Sequence, residues 1–236
     1  MENIYNPDFV KGHFDRMSKS YEIMNTITSF GFSVWWRKQF LSYFKKSEKE
    51  IFIIDLLSGM GETWSFIKDK FPNSKLHALD FSEEMTKYSE LKNKKLFDNS
   101  VVIYHDNVLS NQLPPNQFDI VVSSYGLKTF NDEQLNQLAI EVKRILKNGG
   151  QFSFVEVSMP KNRLLLTLYG FYVSKIITYI GKVMFKNDKE YQLLWEYTKL
   201  FQNARKVVEI FTQIGLKAEY RSYFFGCASG VVGYKE

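Results

Sequence analysis

The sequence predicts an α/β protein built on a mostly parallel β-sheet, with helices on both faces and an antiparallel hairpin at its C-terminal end. Two observations predict it. Strand-like apolar runs alternate with helical patterns through most of the chain, as expected when crossover helices cover a parallel sheet. The last two strand-like runs, roughly Lys217 to Phe224 and Ala228 to Tyr234, are joined by only a few residues around Gly226. Parallel neighbours need a crossover of about a dozen residues or more, so these two pair antiparallel.

Each element follows from a local pattern. "EIFIIDLL" reads as the first strand and "ETWSFIKDKF" as its helix, then "KLHALD" and "SEEMTKYSELKNKKLF" as the second pair. "SVVIYH" is a third strand followed by a Pro-containing loop, and "FDIVVSS" is a fourth. The next helix carries Leu135, Leu138, Ala139, Val142, Ile145 and Leu146 on one face, with "KNGG" as its stop. "QFSFVEVS" is a fifth strand, and a last helix holding Val207, Val208, Ile210, Phe211 and Ile214 precedes the hairpin.

Composition narrows the class. At 236 residues with 44% hydrophobic and 17% aromatic content, the chain suffices for one well-packed domain. No repeat and no Pro/Ser/Gly linker divides it. The N-terminal "MENIYNPDFV" lacks the basic and apolar regions of a secretory signal, and the single cysteine, Cys227, cannot form an intrachain disulfide, so a cytoplasmic location is expected. The net charge of +5 comes from 31 basic against 26 acidic residues, Lys runs such as "FKKSEKE" and "LKNKK" read as solvated faces and loops, and no nucleic-acid partner is expected. His13, His77 and His105 show no ligand spacing, so no metal site is expected.

The chemistry centres on "DLLSGMGETW", from Asp55 through Ser58, Gly59, Met60 and Gly61 to Trp64. A phosphate loop would need a lysine after its second glycine, and Gly61 is followed by Glu62 and Thr63. A dinucleotide fingerprint would need a third glycine where Trp64 stands, and Glu62 would repel a pyrophosphate at the helix start. The ligand this turn suits has no phosphate and carries positive charge. Asp80 ends the next strand 19 residues after Gly61 (80 minus 61), where a carboxylate can accept hydrogen bonds from both hydroxyls of a ribose. S-adenosylmethionine, with a ribose, a sulfonium and no phosphate, is the ligand that fits.

The segment "FDRMSKSYEIMNTITSFGFSVWWRK", the glycine turn, "ALDFSEEM", "FDIVVSSYGLKTFND", "EVKRILKNGGQFSFVEVSMP", "FTQIGLKAEY" and the closing "VVGYK" resemble, in order, successive blocks of the ubiquinone/menaquinone biosynthesis C-methyltransferases over roughly residues 10 to 235. The resemblance implies a Rossmann-like class I methyltransferase fold: a seven-stranded, mostly parallel sheet with an antiparallel C-terminal strand, in one domain spanning 1–236. It implies S-adenosyl-L-methionine as cofactor, with Asp80 and the adjoining Phe81 at the ribose, Asn107 and Val108 beside the adenine, Ser124 as a further contact, and only backbone at Met60, where the family has threonine. Tyr21 and Arg37 resemble a helical lid, about 1–47, over the methionine end, with Arg37 facing the ligand carboxylate. A small lipophilic, quinol-like acceptor is implied as well.

There are departures. Val231 and Val232 stand where the family has a His-Arg pair, and Lys128 stands for an arginine, keeping the charge without the bidentate fork. Methylation of another lipophilic or secondary-metabolite acceptor, an RNA methyltransferase, and a catalytically silent S-adenosylmethionine-binding protein stay open beside the quinol reading. For a ring carbon beside a hydroxyl, a base or cation near that hydroxyl would help. Tyr125, Lys128 and Glu156 are the candidates.

The apolar stretch from Leu164 to Phe185 has polar positions Thr167, Gly170, Ser174, Thr178, Gly181 and Lys182 recurring every three or four residues, and Lys175 inside it, which argues against a transmembrane span. It is expected to form part of a helical cap over the sheet, about 161–203, as a wall for the acceptor. That leaves room for peripheral contact with a membrane, and a homodimer is a further option.

Overall fold

The central strands are apolar almost without interruption because helices bury them on both faces. The computed structural model describes residues 3–28, 31–185 and 188–236, with the side chains at 19–28, 181, 183–185, 188–191 and 194 outside the description. Two helices, α1 (Pro7–Thr28) and α2 (Phe32–Leu41), precede the alternating region. That region runs β1 (Phe52–Leu56), α3 (Trp64–Lys70), β2 (Lys75–Asp80), α4 (Glu83–Leu96), β3 (Val102–His105), β4 (Phe118–Ser124), a 3-10 turn (Leu127–Thr129), α5 (Asp132–Ile145) and β5 (Leu146–Val157). Then follow α6 (Arg163–Phe171), a π-helical segment (Tyr172–Ile177), α7 (Thr178–Phe185), α8 (Asp188–Phe201), α9 (Arg205–Gln213), β6 (Lys217–Tyr223) and β7 (Ala228–Tyr234).

Among the described residues the strands form a seven-stranded sheet in the order β3-β2-β1-β4-β5-β7-β6. β1 to β5 pair in parallel, and β7 lies antiparallel between β5 and β6. The chain builds outward from β1 to β3, then crosses back to β4 on the other side of β1. The carboxyl ends of β1 and β4 therefore flank a crevice, the usual place for a ligand in an open parallel sheet.

Two cores enclose the sheet. Leu135, Leu138, Val142 and Ile145 of α5 and Val207 and Phe211 of α9 cover one face. Trp36, Phe40 and Leu41 of α2 with Trp64 and Ile67 of α3 cover the other. Each such side chain, fully buried, contributes ~1.5–3 kcal/mol. α5 begins with a capping box between Asn131 and Gln134. It ends at Ile145, one residue short of its expected apolar face. Leu146 turns extended (φ −69°, ψ 137°) and opens β5, pairing with Phe118 while still fully buried. "KNGG" thus lies inside β5 rather than in a helix stop, with Gly149 at φ 75°. Val231 and Val232 are buried in β7, away from the crevice. No helix among the described residues is long and apolar enough to cross a membrane.

Candidate functional site

The turn after β1 is built from left-handed backbone at Leu57 (φ 56°), Gly59 (φ 55°) and Gly61 (φ 75°). Gly61 has a second reason to be glycine: a Cβ there would lie 2.6 Å from the Trp64 ring, which fills the space a third glycine would have left. The turn is pinned by Ser58 N–H to the Leu79 carbonyl (3.1 Å), Gly61 N–H to the Ser58 carbonyl (2.9 Å) and Met60 N–H to Glu62 Oε2 (3.1 Å). Asp80, at the end of β2, accepts the Gly59 N–H on Oδ2 (2.8 Å) and the Ser82 N–H on Oδ1 (3.0 Å). Burial pushes its carboxyl up to about 6.

Beside this turn opens a cleft of about 690 Å³, including its mouth. It brings together Gly59, Asp80, Phe81, Asn107, Val108, Ser124 and Tyr125 from the sequence-derived set. Its roof is the start of the chain, with Tyr5, Pro7, Val10 and Phe14 facing the crevice across α1. That roof is latched. Asp15 of α1 accepts hydrogen bonds from Ser82 Oγ (2.5 Å) and from Glu84 N–H (3.3 Å) at the start of α4, and Gln134 Nε2 donates to the Tyr5 carbonyl (2.9 Å).

Under the glycine turn sits a set of buried polar atoms with no hydrogen-bond partner: both carboxylate oxygens of Asp55, Ser58 Oγ, Glu62 Oε1 and Arg37 Nε. Arg37 Nη2 stands 3.8 Å from Glu62 Oε1, and its guanidinium lies 4.9 Å above the Tyr125 ring. Burial raises the Asp55 carboxyl well above its ordinary value, and the neighbouring Glu62 adds to this while Arg37 opposes it. Buried polar groups without partners are costly and rare. Both oxygens of one acid, one oxygen of a second and the Nε of a guanidinium, left without hydrogen bonds beside a ribose-type carboxylate, fit a ligand with an ammonium, a carboxylate and a sugar diol. S-adenosylmethionine has all three.

The remaining residues singled out from sequence lie around this centre. Ser124 Oγ is 3.0 Å from Thr63 Oγ1, joining the end of β4 to the glycine turn. The Tyr125 hydroxyl donates to the Ser33 carbonyl (2.8 Å). Lys128 and Glu156 form a buried ion pair (2.9 Å) outside the cleft lining. Lys128 Nζ also donates to the Tyr125 carbonyl (2.9 Å), and Glu156 accepts the Lys128 and Val157 backbone N–H groups (3.1 and 2.7 Å). Tyr21 lies in α1, and its side chain is outside the described residues. Among the described residues no group of three or more acids, His or Cys is placed to hold a metal ion.

Sequence reasoning did not single out Leu57, Leu109, Thr129, Phe130 and Gln134, which also line the cleft. It expected a helical lid at about 1–47 without singling out the roof residues Tyr5, Pro7, Val10 and Phe14. There the signal was present: Pro7, Val10 and Phe14 recur at helical spacing on one face of α1.

The sequence model of the ubiE/COQ5 methyltransferase family matches residues 2–235. Demethylmenaquinone methyltransferase from Listeria welshimeri is 30% identical over 226 residues, spanning 94% of each chain. The enzyme of that name from Geobacillus stearothermophilus is 31% identical with the same coverage of both chains. Among solved structures, a SAM-dependent methyltransferase from Aquifex aeolicus superposes with a TM-score of 0.56 at 18% identity, over 84% of this chain and 88% of that one. A putative S-adenosyl-L-methionine-dependent methyltransferase from Methanococcus maripaludis gives 0.58 at 17% identity, over 100% and 95%. Phosphoethanolamine N-methyltransferase 2 of Haemonchus contortus, in complex with S-adenosyl-L-methionine, gives 0.59 at 19% identity, over 79% and 38%.

Proposed function

The chain belongs to the ubiE/COQ5 methyltransferase family and is an S-adenosylmethionine-dependent methyltransferase, and from that premise we propose that it methylates a ring carbon of a small lipophilic quinol of the demethylmenaquinol type. The cofactor half of the site rests on one observation: the buried atoms left without a hydrogen bond beside Asp80, both carboxylate oxygens of Asp55, Glu62 Oε1 and Arg37 Nε. Asp80 accepts the ribose hydroxyls, Arg37 pairs with the methionine carboxylate, Asp55 and Glu62 receive the ammonium, and Phe81, Asn107 and Val108 border the adenine. When bound, S-adenosylmethionine supplies a methyl group activated by its sulfonium.

The acceptor half is supported by the relatives' names and by the apolar residues of the cleft lining, among them Leu57, Leu109 and Phe130. Behind that lining, Met17 of α1 packs with Val173 and Ile177 of the π-helical segment, flanked by Tyr169, Tyr172 and Trp195, and so joins α1 to the cap. Methyl transfer needs no covalent nucleophile, and its main demand is to hold donor and acceptor in line. Lys128 and Glu156 serve this by fixing the turn after β4, since both are already saturated with protein partners. Tyr125, packed under Arg37, sets the floor between the two ligands.

The test is transfer of labelled methyl from S-adenosylmethionine to a reduced demethylmenaquinone, with the product's ring position read by mass spectrometry. Ring methylation at enzyme-like turnover supports the reading. Absence of transfer by a protein that binds S-adenosylhomocysteine would remove the quinol and leave another acceptor.

A further inference from the structure

The outer face of α6, the π-helical segment and α7 is apolar where a surface helix facing water would be polar. Leu164, Leu168, Phe171, Ile176 and Tyr179 are all exposed, Leu164 by 71% and Tyr179 by 68%. Two of the polar-stripe positions turn inward: Thr178 Oγ1 is buried without a hydrogen-bond partner, and a Cβ on Gly170 would press on the Trp195 ring at 3.1 Å. Beside the base of α6, the β6–β7 turn raises Phe224 and Phe225. Both hold left-handed backbone (φ 41° and 54°), a strained state for a bulky residue, and Phe225 is 80% exposed.

The β6–β7 turn lies against the segment that leads into α6: Ser158 Oγ donates to the Gly226 carbonyl (2.8 Å), and a Cβ on Gly226 would lie 3.4 Å from Pro160 Cα. The Phe224 ring lies 4.4 Å from Phe32 and 6.4 Å from the exposed Trp35. Phe32 packs in the same core as Leu165 and Tyr169 of α6 and Tyr223 of β6. Isolated exposed apolar residues need no explanation, but a contiguous set with aromatic tips does.

Charge decides the occupant. From Val157 to Asn187 the sequence holds Lys161, Arg163, Lys175, Lys182 and Lys186 and no carboxylate. Lys161, Arg163, Lys175 and Lys182 are exposed. A second copy docked by twofold symmetry would set these cations against each other. An anionic bilayer offers them phosphates and takes the aromatic and leucine side chains at its headgroup boundary. We propose that this face docks on an anionic lipid bilayer, with Phe225, Phe171 and Leu168 entering the interface and the four exposed cations meeting the lipid phosphates. This docking does not depend on which acceptor is methylated.

The experiment is vesicle flotation of the full chain with phosphatidylcholine alone and with phosphatidylglycerol added, at low and high salt. The expected result is binding only when phosphatidylglycerol is present, weakened by salt. Phe225→Ser and Phe171→Ser should each lower partitioning about tenfold, and Lys175→Glu by a similar factor. Melting and S-adenosylhomocysteine titration of each variant verify the fold and read the methyltransferase assignment separately. Three outcomes would overturn the proposal: equal binding to both vesicle types, wild-type partitioning by well-folded Phe225→Ser and Lys175→Glu, or variants that change the oligomeric state in sedimentation without changing vesicle binding.

Discussion

Asp80→Asn replaces one carboxylate oxygen with an amide donor where two N–H groups already converge, from Gly59 at 2.8 Å and Ser82 at 3.0 Å. One of those donors must then face another donor, and the ribose diol loses a charged acceptor. A hydrogen bond to a charged group contributes about 1.5–3 kcal/mol against about 0.5–1.5 for a neutral one. The combined loss is about 2–3 kcal/mol, or roughly a 30- to 150-fold rise in Kd. Calorimetric titration with S-adenosylmethionine and S-adenosylhomocysteine reads it directly, with thermal unfolding as the fold control. If a folded Asn variant binds within about threefold of wild type, where a loss of at least about 2 kcal/mol is expected, Asp80 is not the ribose acid.

The pH dependence gives an independent reading of the same group. Burial holds the Asp80 carboxyl at about 6, so the charged acceptor is lost as the pH falls through that value. Affinity in wild type should fall by up to about tenfold per pH unit as Asp80 is protonated, while the Asn variant loses that component and keeps only the one from Asp55, whose carboxyl is also raised. Stability of the unliganded protein runs the other way. A folded value raised above the unfolded one makes this group's contribution favourable below its ordinary range, and the contribution is lost as pH rises through about 6.

Other outcomes follow from the same contacts. Lys128→Met strands a fully buried Glu156 and should cost about 3–5 kcal/mol in urea unfolding, most of it recovered in the double variant with Glu156→Gln; no recovery would mean that the pair is not coupled. Gly61→Ala meets both the left-handed backbone and the Trp64 ring, and should lower stability by about 2–3 kcal/mol and weaken cofactor binding in the same titration. Asp15→Asn breaks the latch to Ser82 and should weaken cofactor binding about three- to tenfold while leaving the fold intact. For Asp15, burial is outweighed by the hydrogen bonds from Ser82 and Lys11, so its value is lowered, and the latch should weaken as pH falls through that lowered value. A Ser82-dependent acid limb in a melting profile, absent in Asp15→Asn, checks it.

Where pattern carries information, the sequence was legible. The sheet with its antiparallel β7 followed from alternation and from a connection too short to cross over. The place of Asp80 beside the glycine turn followed from spacing, and the rejection of a pyrophosphate followed from the volume of Trp64, which the structure places against Gly61. Pairing between distant residues left no such trace. Lys128 and Glu156 read as base or cation candidates because nothing in the sequence announces that two residues 28 positions apart neutralise each other. The polar stripe of the Leu164–Phe185 segment was visible, but periodicity cannot say which face meets water. Here the stripe's Thr178 turns inward while Leu164 and Leu168 turn out.

The backbone at the crevice was equally hidden, and it ties the two halves of the site together. Leu57 and Tyr125, neither a residue that favours positive φ, adopt 56° and 66° directly after β1 and β4, on the two sides of the point where the strand order reverses. The two turns interlock: a Cβ on Gly126 would lie 2.4 Å from Leu57 Cδ1, and Ser124 reaches Thr63 at 3.0 Å. Lys128 then fastens the second turn to Glu156 on β5. The turn after β1 and the turn after β4 are therefore held together as one body. In-line transfer loses about a hundredfold for an ångström of misalignment. On the proposed function, in which the first turn cradles the methyl donor and the second floors the acceptor space, a buried ion pair outside the cleft controls the rate by holding that body in register.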